Sequence, residues 1–233
     1  MPSNRFIVRD VLPVGLAGAG LGCWMFSFRG LLLFLAIGVG LSIAIRLVVT
    51  HTRHGGVAFA LALVVAAAAF GSASRLGWGA ADAHDGTRYK VSPVGLSHVL
   101  TPHQPVSETI DCGWYPLSGY AAPCAIAPGG AAAFRLLRAV FPLLVAAVAC
   151  CLLGVLVAVA GPSGMATSRR VLSSIAALSG LSALVLFANS CGAALADLRG
   201  LRVGTGGTLG TMQLTTAILL CLAVRQRGSL PSR

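Results

Sequence analysis

Six apolar runs punctuate the chain: Val11–Ser27, Leu31–Thr50, Gly56–Ser74, Ala139–Gly161, Val171–Leu195 and Thr208–Val224. Short polar connectors separate them, except for one long polar segment, residues 75–138. A helix rises about 1.5 Å per residue, so roughly 20 residues cross a hydrocarbon core of about 30 Å. Inside lipid every backbone N–H and C=O must find an internal partner, so runs of this length are expected to be helices. The pattern predicts an all-α polytopic transmembrane helix bundle with one long extramembrane loop, six spans in its fullest form and four to six overall.

The count hangs on Phe28-Arg29-Gly30, the sole break between the first two runs. Two spans, one kinked span and a re-entrant hairpin all fit that tripeptide. The expected organisation is an N-terminal membrane hairpin over 1–55, then a four-helix membrane bundle over 56–233 carrying the loop 75–138. Arg5 and Arg9 ahead of the first run resemble the start of a signal peptide, and Gly20-Leu21-Gly22-Cys23 is close to a lipoprotein box. A second apolar run follows after three residues, so a first membrane helix is the preferred reading.

Composition reinforces the pattern. Of 233 residues 56% are hydrophobic and 10% charged, with a mean hydropathy of +0.86, whereas soluble domains carry about 25% charged residues. The net charge of +11 does not point to nucleic acid, because the arginines flank apolar runs and form no stripe interleaved with aromatics. That distribution suits anionic headgroups. With six spans, Arg5, Arg9, Arg46, Arg53, Arg169, Arg170, Arg225, Arg227 and Arg233 share one side, nine in all. Arg29, Arg75, Arg88, Lys90, Arg135, Arg138, Arg199 and Arg202 share the other, eight in all. Nine against eight is too even for the positive-inside rule to orient the chain.

Five of the seven cysteines lie in apolar runs; only Cys112 and Cys124 lie in the polar loop. A disulfide between these two would close a small ring and contribute about 2–3 kcal/mol. It needs an oxidising compartment, which places the loop outside and both termini inside.

Chemistry is sparse. No Asp or Glu falls in the middle of a run and all five histidines lie outside them, which speaks against proton relays and ion-coupled transport. Asn189, Ser190 and Gln213 are the polar candidates for a pathway. The loop holds Asp82, His84, Asp85, His98, His103, Glu108 and Asp111, but the five-residue intervals of His98, His103 and Glu108 do not share a helix face. Pro93, Pro102 and Pro105 predict irregular chain there. Gly204 to Gly210 lacks the strand–turn–helix context and the lysine of a phosphate loop and reads as a flexible connector. No metal or cofactor and no catalytic residue is expected. Gly18 with Gly22, and Gly206 with Gly210, have the spacing that lets helix backbones approach. Trp114, Tyr115 and Tyr120 form the aromatic part of the loop, read as an interfacial anchor or a recognition surface. Pro142 is expected in the first turn of its helix.

Residues 56–225 resemble the claudin and peripheral-myelin-protein type of tetraspan membrane protein. Gly56–Ser74 stands for the first helix, Cys112 and Cys124 for the loop's cysteine pair, and Arg135 or Arg138 for the arginine that opens the second helix. Ser168-Arg169-Arg170 stands for the inside turn. Trp114 lies between the cysteines and Trp78 precedes both. The resemblance implies a small antiparallel sheet in the extracellular loop and a non-enzymatic role in membrane organisation or subunit assembly.

The expectation is therefore a structural or accessory membrane subunit working through helix packing and a disulfide-pinned loop. Its partners would be the lipid bilayer and other membrane proteins or its own copies. The plasma membrane or secretory pathway is the favoured location, an organellar inner membrane the alternative. A transporter or channel component, and a supernumerary subunit of an organellar complex, are the rival functions.

Overall fold

A computed structural model describes residues 11–51, 55–82, 88–98, 112–114, 122–123, 131–160, 165–196, 202–205 and 208–227. Five helices appear among them: α1 (Leu12–His51), α2 (Gly55–Ala73), α3 (Ala131–Ala160), α4 (Ala166–Ala196) and α5 (Leu209–Arg227). Three contain stretches long and apolar enough to cross a membrane, Gly56–Ala73, Ala132–Ala160 and Thr167–Leu195. Leu12–Trp24, Gly30–Ile45 and Leu209–Arg225 are shorter apolar helical segments. All six expected runs are thus helical, and three have spanning length among the described residues.

The chain gathers into two compact units. The first comprises residues 1–71, 144–181 and 213–233, the second 72–143 and 182–212.

In the first unit, helical structure runs from Leu12 to His51 without interruption, yet it is not one rod. Gly18 lies against the backbone carbonyl of Phe34, and Gly22 against that of Gly30. Sixteen residues of straight helix would separate Gly18 from Phe34 by about 24 Å. The stretch therefore folds back on itself as two antiparallel arms, Leu12–Trp24 and Gly30–Ile45. A Cβ at Gly38 would stand 2.7 Å from the Val14 carbonyl oxygen and 3.3 Å from the Gly15 Cα. The small residues of both arms thus face each other. Such a back-folded course is common to the two-span and the re-entrant readings of this stretch.

The rest of the unit packs by the same logic. A Cβ at Gly154 of α3 would meet Leu63 of α2 at 2.8 Å, and one at Gly180 of α4 would meet Phe70 at 2.6 Å and Ile218 of α5 at 3.0 Å. Phe34, Leu63, Phe70 and Ile218 are fully enclosed, whereas Leu61, Leu156 and Val159 lie open on the outer surface. Such exposed side chains suit hydrocarbon surroundings, where no water penalises them.

The second unit contains a sheet where the prolines predict irregular chain; a small antiparallel sheet in this loop is what the tetraspan resemblance implies. Strands β1 (Gly79–Asp82), β2 (Arg88–Ser92), β3 (Gly95–His98), β4 (Cys112–Gly113), β5 (Ala122–Pro123) and β6 (Arg202–Thr205) stand in the order β5-β4-β3-β2-β1-β6. Every pairing is antiparallel except β4 with β5. Pro93 does not disorder the segment, because it occupies the turn between β2 and β3, where no ladder bond is lost. Val91 pairs with Leu96 and Leu96 with Cys112, and all three are buried.

Two helix limits also differ from expectation. Helix α3 starts at Ala131, ahead of the apolar run at Ala139, so Pro142 lies inside it and not in its first turn. The alanines Ala131 to Ala133 are strong helix formers, so the helix begins before the chain becomes uniformly apolar. The expected connector over Gly204–Gly210 is in part strand β6, because its backbone completes the edge of β1.

Candidate functional site

The sheet unit gathers most of the loop residues singled out in the sequence. Its organising side chain is Trp78, fully buried. The indole N–H donates to the Ala73 carbonyl at 2.8 Å, one of the carbonyls left over at the end of α2. The backbone N–H of Trp78 donates to the Val91 carbonyl at 2.7 Å. The ring meets Phe187 of α4 edge-on, centroids 5.1 Å apart. One residue thereby caps a helix, starts the sheet and fills the core. Distance from the cysteines hides this role in the sequence; the position of Trp78 a few residues after an apolar run is the signal that points to it.

Gly210 makes room for that ring. A Cβ there would lie 2.5 Å from Trp78 Cδ1 and 2.6 Å from the Gly77 carbonyl oxygen, and its N–H donates to that oxygen at 3.2 Å. Its close neighbour is thus a loop tryptophan, not a second helix. Gly206 lies outside the described residues. The start of α5 is set by Thr208 and Thr211, whose hydroxyls and backbone N–H groups bond reciprocally over 3.2–3.4 Å, a capping arrangement.

Trp114 is neither an interfacial anchor nor a recognition surface, since it is only 3% exposed. Its indole N–H donates to the Ser92 carbonyl at 3.0 Å and its backbone N–H to the Val94 carbonyl at 2.9 Å. The ring stands edge-on to Phe134 of α3 at 5.6 Å. Ser92 in turn fixes the β2–β3 turn, its hydroxyl accepting from Gly95 N–H at 3.1 Å. Burial wins because Trp114 brings both a large apolar ring and a donor that the turn's carbonyls can satisfy. Tyr115 and Tyr120 lie outside the described residues.

Cys112 is buried on β4, opposite Ala122 of β5; Cys124 lies outside the described residues. Arg135 and Arg138 are exposed on α3. They belong to its body and not to its opening turn, because the helix begins at Ala131. The Arg138 guanidinium stands 6.0 Å over the Phe134 ring one turn earlier. Asp82 forms an exposed ion pair with Arg88 at 3.6 Å, of little energetic weight in water. His98 stands on β3 opposite Tyr89, while His84, Asp85, His103, Glu108 and Asp111 lie outside the described residues. Among the described residues no three His, Cys, Asp or Glu side chains come together as a metal site.

Two of the polar residues expected on a pathway turn inward on their own helix. Asn189 donates to the Val185 carbonyl at 2.9 Å and Ser190 to the Leu186 carbonyl. Such bonds satisfy a polar group in lipid without a partner helix.

No protein-family model matches this chain, and a search of curated proteins finds no relative.

Proposed function

We propose that the protein is a non-enzymatic, multi-pass integral membrane protein of claudin-like plan, serving as a structural or accessory subunit. The observation that carries this reading is strand β6. It comes from the segment between α4 and α5, yet pairs with β1 from the segment between α2 and α3. Two segments that share a sheet lie on one side of the membrane. Helices α3 and α4, both of spanning length, then form an out-and-back pair. With the two arms of α1 this gives six membrane-inserted segments and both termini on the side opposite the sheet.

Cys112 and Cys124 would then be joined as a disulfide on the outer side, pinning β4 to the segment that follows β5. Tyr115 and Tyr120 are the residues proposed to meet a partner, since Trp114 is taken up by the core. Open apolar helix faces such as Leu61, Leu156 and Val159 supply the lateral contacts, because Gly18, Gly22 and Gly210 are taken up within the chain.

Labelling of intact vesicles with an impermeant thiol reagent tests the topology. Cysteines introduced at Asp82 and Thr205 are expected to react from one side and a cysteine at Ser168 from the other. Cys112 and Cys124 should react only after reduction. Labelling of Asp82→Cys and Thr205→Cys from opposite sides would overturn the reading.

A further inference from the structure

We propose that one face of α4 binds the same face of a second copy of this chain, with the two Asn189 carboxamides paired across it. Such a dimer deepens the accessory-subunit reading and rests on its membrane placement. Ile175, Leu178, Ser182, Val185, Asn189 and Gly192 follow one another at intervals of three, four, three, four and three. That alternation is the spacing of a seam between two helices, and it falls inside the spanning stretch Thr167–Leu195. Ile175, Leu178, Ser182, Val185 and Asn189 are all exposed, so the described chain leaves the seam uncovered.

Spacing alone defines a face; polarity says what it meets. In α2 and α3 the open residues through the middle of the span are apolar, Leu61, Val64 and Val65 in one and Val145, Leu152 and Leu153 in the other. Helix α4 instead turns Ser182 and Asn189 outward. Asn189 stands six residues before Leu195, the end of the spanning stretch, about 9 Å into it at 1.5 Å per residue. Polar side chains at that depth rarely face lipid.

The bond from Asn189 to the Val185 carbonyl employs one amide N–H. A carboxamide has two such donors and an acceptor oxygen, and the second N–H and the oxygen have no partner among the described residues. Lipid chains offer neither. An identical carboxamide offers both: each Asn189 donates its second N–H to the other's oxygen, closing two reciprocal bonds. Every copy enters the bilayer in one orientation, so a twofold axis along the membrane normal sets two α4 helices parallel and each seam residue against its own counterpart. A buried Asn in such a seam fixes the register. The seam carries no charge, so two copies do not repel along it.

Gly192 supplies the room. A Cβ at Gly154 or Gly180 would strike a neighbouring helix, whereas one at Gly192 meets nothing within 4 Å. Packing inside the chain therefore does not account for a glycine there, which weakens a helix relative to alanine. One turn from Asn189 on the same face, it lets a partner backbone come close enough for the short carboxamides to meet. The apolar faces of α2 and α3 remain open to other proteins.

Energy transfer between full-length chains carrying donor or acceptor dyes, reconstituted in phosphatidylcholine vesicles and diluted with lipid, reads the association. Transfer that follows a monomer–dimer isotherm is expected. N189L should raise the dissociation constant about 5- to 30-fold, the span for hydrogen bonds between helices in lipid, and Gly192→Leu should weaken association in the same direction. Under a permeant oxidant S182C should form a covalent dimer that the parent and Leu156→Cys, on the open face of α3, do not. Chains that stay monomeric at every dilution would overturn the proposal, whether lipid or a different membrane protein covers the face. So would an N189L or Gly192→Leu protein that associates like the parent, or equal cross-linking of Leu156→Cys. If N189L does not stay monodisperse, the S182C cross-link decides. Failure of the membrane reading is separate: alkaline carbonate would then release the chain from vesicles, whereas a monomer retained in them sinks the dimer alone.

Discussion

Trp78 and Gly210 form a matched pair in which one supplies volume and the other withholds it. Trp78→Ala removes a fully buried ring and should cost about 3–5 kcal/mol. Trp78→Phe keeps most of the ring but drops the bond to the Ala73 carbonyl, and about 1 kcal/mol is expected. Gly210→Ala forces a methyl against Trp78 and the Gly77 carbonyl, an overpacking worth about 1–3 kcal/mol. Thermal unfolding in detergent measures all three. A Gly210→Ala protein that melts like the parent would show that the ring has another place to go. The two residues are not legible as a pair, since 132 positions separate them in the sequence. Trp114 is visible as an aromatic in a polar loop, but its fate turns on two carbonyls of the β2–β3 turn, which no composition argument reveals.

Among the elements, the N-terminal hairpin shows how small residues decide whether a helix turns back. Gly18 touches the opposite arm's backbone, while a Cβ at Gly20 or Gly40 meets nothing within 4 Å. Gly20→Ala is therefore expected to be neutral or to stabilise by about 0.5–1 kcal/mol. Gly18→Ala should splay the arms and lower the melting temperature. Equal effects of the two substitutions would refute the back-folded arrangement. A second check concerns α3 and α5. Cys151 and Cys221 bring their sulfurs to 3.7 Å, both buried, so a permeant oxidant should link them and Cys221→Ser should abolish the product. The apolar runs make these helices legible because length and hydrophobicity are local properties. The strands are not, being two to five residues long and rich in Gly and polar residues, so they draw their stability from neighbours and not from their own sequence.

At the scale of the whole molecule, unequal charge distinguishes the two units more sharply than basic residues alone. Arginines counted side by side give no orientation; including the acids, of which Asp10 falls in the first unit and the other five in the second, separates a unit of ten basic residues and one acid from one of seven and five. At raised salt the cationic unit should lose its attraction to anionic vesicles first, because screening shortens to about 3 Å at 1 M. Co-sedimentation with such vesicles across a salt series measures it.

The β6–β1 pairing carries a consequence for biosynthesis. Gly79 meets Thr205, 126 positions downstream, so the outer flank of β1 stays bare while the ribosome adds the intervening residues. At about 5–20 residues per second that interval lasts on the order of 6–25 s. An exposed strand flank invites pairing with foreign chains, and a nascent polypeptide stalled before Arg202 would present that hazard permanently. Quality control at the translocon would thus have a natural checkpoint in this protein: the arrival of a four-residue strand that seals the sheet.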